Sequence, residues 1–291
     1  MAEKIKKHLR LLVQTLFVIV TNGYVKGFTD GKIYQGKLKS VCVPGLNCYS
    51  CPGAFGACPL GAIQASLSQR NLHIPLFVTG FLFFVGAMLG RFVCGWLCPF
   101  GLVQDLLYRI PFLAKYKRLP GHSFLKNVKY AVLFFLVLLF PAFLKGSYGV
   151  GAPWFCKYIC PSGTLFGAIP LMAANEGLRA AAGALFQWKF LVLIAVLILS
   201  LAVFRPFCQY ICPLGAIYGF FNSISLVHLE LCEESCIRCG KCKKACPVDI
   251  PTFESPNSSE CIRCGKCVRE CPENSLKWTV GKNVKGAVRE K

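Results

Sequence analysis

Acidic residues are scarce in this chain: Asp and Glu together number 13 among 291 residues, against 33 Lys and Arg. Charged residues of both signs reach only 16%, whereas apolar residues make up 55% and mean hydropathy is +0.52. So little polar surface excludes an ordinary water-soluble protein of this size and points to a membrane protein. Histidine is equally sparse, with only His8, His73, His122 and His228. No C-x2-C-H motif occurs and no two histidines share an apolar span, so they read as polar interface residues rather than haem ligands. Walker, GxGxxG, GxSxG and HExxH patterns are also missing, so no independent catalytic site is visible.

The net charge of +20 is uneven, with 21 Lys/Arg against 4 Asp/Glu in residues 1–227 and 12 against 9 in residues 228–291. Most of the excess flanks apolar segments, where it orients spans and meets anionic lipid; nucleic acid is not an expected partner. Four segments suit a bilayer crossing of roughly 20 residues: Leu9–Val25, Ile74–Val93, Phe124–Leu144 and Gln187–Phe204. The first, preceded by Lys4, Lys6, Lys7 and Arg10, also fits a signal peptide, although no small-x-small cleavage site follows. Basic residues concentrate at the N-terminus, in residues 91–129 and in the tail, which places both termini in the cytoplasm of a multi-pass cell-membrane protein.

What the sequence has in abundance is cysteine, 19 in all, mostly in short-spaced groups ending in Cys-Pro. In an apolar chain that spacing favours metal ligation over a disulfide framework. The strongest pattern is Cys236-x2-Cys239-x2-Cys242-x3-Cys246-Pro247 followed by Cys261-x2-Cys264-x2-Cys267-x3-Cys271-Pro272. This is the bacterial two-cluster ferredoxin run, in which the fourth Cys of each half ligates the other cluster. Cys236, Cys239, Cys242 and Cys271 are thus expected to hold one [4Fe-4S] cluster, and Cys261, Cys264, Cys267 and Cys246 a second. Zinc knuckles would use separated C-x2-C pairs instead.

An internal repeat runs through the rest of the chain, each span being followed by Cys-Pro-x-Gly at Cys58, Cys98, Cys160 and Cys212. Proline is favoured at the first helical position, so each Cys is expected at a helix start, where the helix dipole favours thiolate. Apolar stretches after the repeats, such as Leu102–Ile110 and Ala216–Val227, suit interfacial or re-entrant helices. With four spans, the second and fourth copies share a side, giving Cys94, Cys98, Cys208 and Cys212 as a third cluster site. The first and third copies bring Cys48, Cys51, Cys58, Cys156 and Cys160, with Cys42 nearby, to the opposite face. There a fourth cluster competes with disulfides. Cys232 is surplus and reads as a packing residue. Arg238, Lys241, Lys243, Lys244, Arg263, Lys266 and Arg269 interleave the tail motifs, either as a solvated face near lipid or as a docking patch for an acidic redox partner such as ferredoxin or flavodoxin.

A ferredoxin tail behind Cys94-Gly95-Trp96-Leu97-Cys98-Pro99-Phe100-Gly101 and Cys208-Gln209-Tyr210-Ile211-Cys212-Pro213-Leu214-Gly215 resembles the NapH-type membrane polyferredoxins, the family that includes NosR and MauN, over roughly residues 74–275. The resemblance implies electron relay between a quinone pool and redox partners within a larger complex. The first loop, Cys42 to Cys58, and the copy at Cys156 and Cys160 are additional to the two C-x3-C-P copies associated with that family.

The expected fold is an α-helical integral membrane protein with about four transmembrane helices and short interfacial or re-entrant helices, ending in a bacterial two-[4Fe-4S] ferredoxin-like α+β domain. Its expected divisions are residues 1–227, 228–280 and a basic tail at 281–291. The expected function is single-electron relay between a cytoplasmic donor or acceptor and a quinone pool, flavoprotein or extracytoplasmic partner. An accessory role in assembling another metalloenzyme and a quinone-reactive oxidoreductase subunit are the competing readings.

Overall fold

The computed structural model describes residues 2–70, 74–111 and 114–281, without the side chains of residues 2–8. His73, the side chain of His8 and nearly all of the basic tail lie outside the described residues. All four apolar segments are helical, but among the described residues two helices are long and apolar enough to cross a membrane: His122–Phe143 and Ala184–Ala202. At 1.5 Å per residue their 22 and 19 residues span about 33 and 28 Å, close to the hydrocarbon thickness.

The other two segments are shorter than their apolar runs. Leu76–Leu89 has 14 residues, about 21 Å, because Gly90 at φ 53° turns the chain before Arg91 begins a new helical turn. The first helix, Ala2–Thr21, is apolar only over Leu9–Thr21 and stops before Val25. In His122–Phe143 the ladder widens to π-helix over Val132–Leu139. The Pro141 ring would crowd the carbonyl of Val137 in a regular helix, and the wider turn there accommodates it.

Each repeat folds as its proline predicts. Cys58, Cys98, Cys160 and Cys212 are the N-cap residues of helical segments that open with the following proline. These segments pack into one core that includes Leu46, Phe100, Val137, Phe155, Phe207 and Tyr218 together with the buried cysteines. Residues 227–281 pack as a smaller unit. Two antiparallel strands, β1 (Val227–Leu231) and β2 (Leu276–Val280), pair from Val227↔Val280 to Leu231↔Leu276 and flank two short helices, Lys241–Ala245 and Lys266–Arg269. Gly240 and Gly265, both at positive φ, turn the chain into those helices. This unit has its own core, Leu229, Val248, Ile250, Ile262 and Leu276, to which Phe204 is also packed.

Candidate iron-sulfur sites

In the C-terminal unit two small cavities carry the cysteines. One is lined by Cys236, Cys239, Cys242 and Cys271, the other by Cys246, Cys261, Cys264 and Cys267. The chain therefore brings the fourth cysteine of each run to the other run's cavity. Burial pushes the Cys261 thiol up to about 12, so a thiolate there depends on a positive partner such as iron. The Ile250 N–H donates to Cys246 Sγ at 3.4 Å, the kind of backbone donor that stabilises a ligating sulfur.

The second and fourth repeats meet in the helical part. Cys94, Cys98, Cys208 and Cys212 are all buried and face one another at electrostatic range. Two arginines cross-brace them. The Arg91 guanidinium donates to the Cys208 carbonyl at 3.2 Å, and the Arg205 guanidinium donates to the Cys94 carbonyl. Each sits three residues before the first cysteine of its own repeat and holds the other's. A Cβ at Gly101 or Gly215 would lie 3.1 or 3.2 Å from the opposite guanidinium, which explains the glycine of Cys-Pro-x-Gly here. Asp105 neutralises Arg205 through two hydrogen bonds, at 2.7 and 2.5 Å, and takes a third from Arg10 at 2.7 Å. The Gly101 and Gly215 N–H groups donate to Cys98 Sγ and Cys212 Sγ, both at 3.4 Å.

The first and third repeats meet in the same way. Cys58, Cys156 and Cys160 face one another and Cys48 around a cavity of about 480 Å³, with Cys42 also on its wall. Where the second repeat has Cys94, four residues before its Cys-Pro, the first has Ala54, and Cys48 from the loop supplies the thiol instead. Cys51 stands beside Cys48 and Lys39, and the cavity lining does not include it. Lys39 and Lys189 are the cations here, Lys39 donating to the Ala54 carbonyl at 2.8 Å. No disulfide joins these cysteines among the described residues.

All four groups bring sulfur donors together, three of them around a cavity, and cysteine sulfur is the donor chemistry of an iron-sulfur cluster. Among the described residues no three His, Cys, Asp or Glu side chains close on a single metal ion. A cubane spreads its ligands over wider spacing than a lone ion does, so that observation is compatible with cluster sites.

The sites are contiguous. Tyr218, fully buried, faces Cys94 and Cys98 of one group in the helical part and Cys58 of the other, and its hydroxyl donates to the Pro44 carbonyl at 3.0 Å. On the other side, the loop carrying Cys261 and Cys264 lies on the Cys94 loop: Trp96 Nε1 donates to the Arg263 carbonyl at 2.9 Å, and Asn222 Nδ2 to the Cys261 carbonyl at 2.7 Å.

Several residues stand elsewhere than the sequence suggests. Cys232 is exposed rather than packed, because it follows strand β1 in a loop. Arg263 belongs to no surface patch; it is fully buried and donates to the carbonyls of Leu89, Val227 and Asn222. Arg238, Lys241, Lys243 and Lys244 are exposed, and the first two line the cavity of Cys236. His122 contacts the Tyr210 hydroxyl at 3.0 Å and His228 the Leu226 carbonyl, which makes both packing groups. The arginine braces are the missed residues. The recurrence of Arg-x2-Cys-x3-Cys-Pro-x-Gly at Arg91 and Arg205 was the signal that could have found them.

A 4Fe-4S binding domain matches residues 71–120, 131–173 and 185–231, which takes in the second, third and fourth repeats. The copy at Cys156 and Cys160 is thus part of the family pattern, not an addition to it. A second 4Fe-4S binding domain matches residues 233–252 and 255–277. An uncharacterized protein of Methanocaldococcus jannaschii is 30% identical over 71% of this chain and 79% of its own length. The ferredoxin-type protein NapH of Escherichia coli is 29% identical over 65% of this chain, and the methylamine utilization ferredoxin-type protein MauN of Methylobacillus flagellatus 27% over 62%. Those matches span 59% and 56% of the two relatives. No solved structure gives a significant match. With the doubled ferredoxin run and the Cys-Pro repeats in place, the chain belongs to the 4Fe-4S-binding NapH-type polyferredoxin family.

Proposed function

We propose that this chain is a membrane-bound electron-transfer subunit that relays single electrons along four [4Fe-4S] sites. The observation that carries the reading is the grouping of sixteen cysteines in four sets of four. The ligands are Cys236, Cys239, Cys242 and Cys271; Cys246, Cys261, Cys264 and Cys267; Cys94, Cys98, Cys208 and Cys212; and Cys48, Cys58, Cys156 and Cys160. The clusters supply the redox chemistry. The chain's residues hold the thiolates, exclude water and set the electrostatics, with Arg91 and Arg205 beside one quartet and Lys39 and Lys189 beside another.

The multi-pass arrangement rests on four apolar helices whose outward side chains, among them Phe77, Phe84, Leu191 and Ile198, are large, apolar and exposed. The orientation, with the ferredoxin unit and both termini cytoplasmic, is supported by the basic-residue bias. Exposed lysines and Arg238 around the Cys236 cavity suit an acidic donor or acceptor such as ferredoxin or flavodoxin. A quinone, a flavoprotein or another subunit would take the far end.

Cys94→Ala tests the relay. In the intact protein, rapid mixing with excess reduced ferredoxin bleaches the iron-sulfur absorbance of all four sites. In the variant only the half owed to the C-terminal unit bleaches on that timescale. Equal and complete bleaching in both proteins contradicts a relay through this quartet.

A further inference from the structure

Gln64 and Gln104 are fully buried, and each occupies the same place in its repeat, six residues after the cysteine of Cys-Pro-x-Gly-x2-Gln. Gln104 Nε2 donates to Cys208 Sγ at 3.1 Å, and Gln64 Nε2 donates to Cys156 Sγ at 3.2 Å. Each amide spans from the first or second repeat to the leading cysteine of the repeat it pairs with.

The direction of these bonds is not arbitrary. Gln104 Oε1 accepts the Phe207 N–H at 3.2 Å, and Gln64 Oε1 accepts the Phe155 N–H at 3.0 Å. A backbone N–H only donates, so the oxygen must face it, and the NH2 group must face the sulfur. The second donor of each amide reaches back one helical turn, to the Phe100 carbonyl at 3.5 Å and the Leu60 carbonyl at 3.3 Å. With every polar atom placed, the amide is fixed rather than free to turn, and its burial carries no unmet hydrogen bond.

We propose that Gln64 and Gln104 are matched positioning residues, each holding one amide N–H on a cluster-ligating sulfur so that the two membrane-part sites share a raised reduction potential. The inference rests on the four-site reading above. A reduced cluster carries one more negative charge than an oxidised one, so a donor on its sulfur stabilises the reduced form more and raises the potential. Duplicating the same donor gives both sites the same adjustment, which keeps the step between them small.

The test is potentiometry of the full chain, followed by electron paramagnetic resonance, on Gln104→Leu and Gln64→Leu. Each variant is expected to move one cluster to a more negative potential and leave the other three unchanged, the shifted cluster differing between the two variants. Unchanged potentials at full iron content overturn the inference while leaving the four-site reading intact. Iron content already halved in the unsubstituted protein overturns both. If a variant loses its cluster, pulsed resonance on the reduced, unsubstituted protein carrying 15N-amide glutamine decides the matter. Hyperfine coupling from glutamine nitrogen on two clusters is expected, and its absence overturns the inference.

Discussion

Glu260 stands between the two cysteine motifs of the C-terminal unit, yet its carboxylate points into the helical part. There it accepts from Lys129 Nζ at 2.5 and 2.6 Å and from Arg91 at 3.1 Å, with both cations fully buried. Burial alone would push the carboxyl up, but Arg91 and Lys129 outweigh it and hold the group below the ordinary 4.5. A depressed carboxyl contributes its stability above that ordinary value and loses it as pH falls through the lowered one, so docking of the ferredoxin unit should weaken only under acid conditions. Glu260→Gln should cost about 3–5 kcal/mol at neutral pH, because Lys129 would be left buried without its counter-charge. Thermal loss of the ferredoxin-unit absorbance at a lower temperature would show this; an unchanged midpoint would count against the buried pair. None of this was legible in the sequence, where Glu260 and Arg263 look like ordinary charges between ligands. The grouping of the tail cysteines was legible, because three members of each set lie in one short run, whereas an ion pair across 131 residues leaves no local pattern.

At the scale of elements, the Cys-Pro helix starts followed directly from the sequence, since proline at the first helical position and a preceding cap are local preferences. Helix length did not. Hydropathy runs straight through Gly90, but the backbone does not, because a Cβ there would fall 2.7 Å from Asn222 Oδ1 and only glycine takes the positive φ comfortably. A second close approach joins the two units. The short helix Phe92–Trp96 meets the Cys261 loop at Gly95, where a Cβ would sit 2.3 Å from the Ile262 carbonyl oxygen. Gly95→Ala should therefore push the loops apart and slow electron passage between the C-terminal unit and the Cys94 quartet, with iron content unchanged. Rapid-mixing kinetics at the wild-type rate would show that this contact does not set the spacing.

Across the whole molecule, the four proposed quartets form one succession, from the exposed edge at Cys239 through the Cys261 loop to the Cys94 set and, past Tyr218, the Cys48 set. The second repeat meets the fourth and the first meets the third, the alternate pairing that the order of the repeats suggests. Cys48, in an irregular loop, lines the cavity between the first and third repeats while Cys51 does not, and no local spacing distinguishes the two in the sequence. The proposed orientation can be read from Cys232, which is exposed, and Tyr148, which is 92% exposed between the third span and third repeat. In Tyr148→Cys, an impermeant maleimide should label position 148 on intact cells and Cys232 only after lysis; the reverse order would invert the topology. The most direct measurement of the central claim is the iron and acid-labile sulfide content of the full chain purified without oxygen. Four sites require about sixteen atoms of each per chain, whereas about eight would confine the clusters to the ferredoxin unit and contradict the relay.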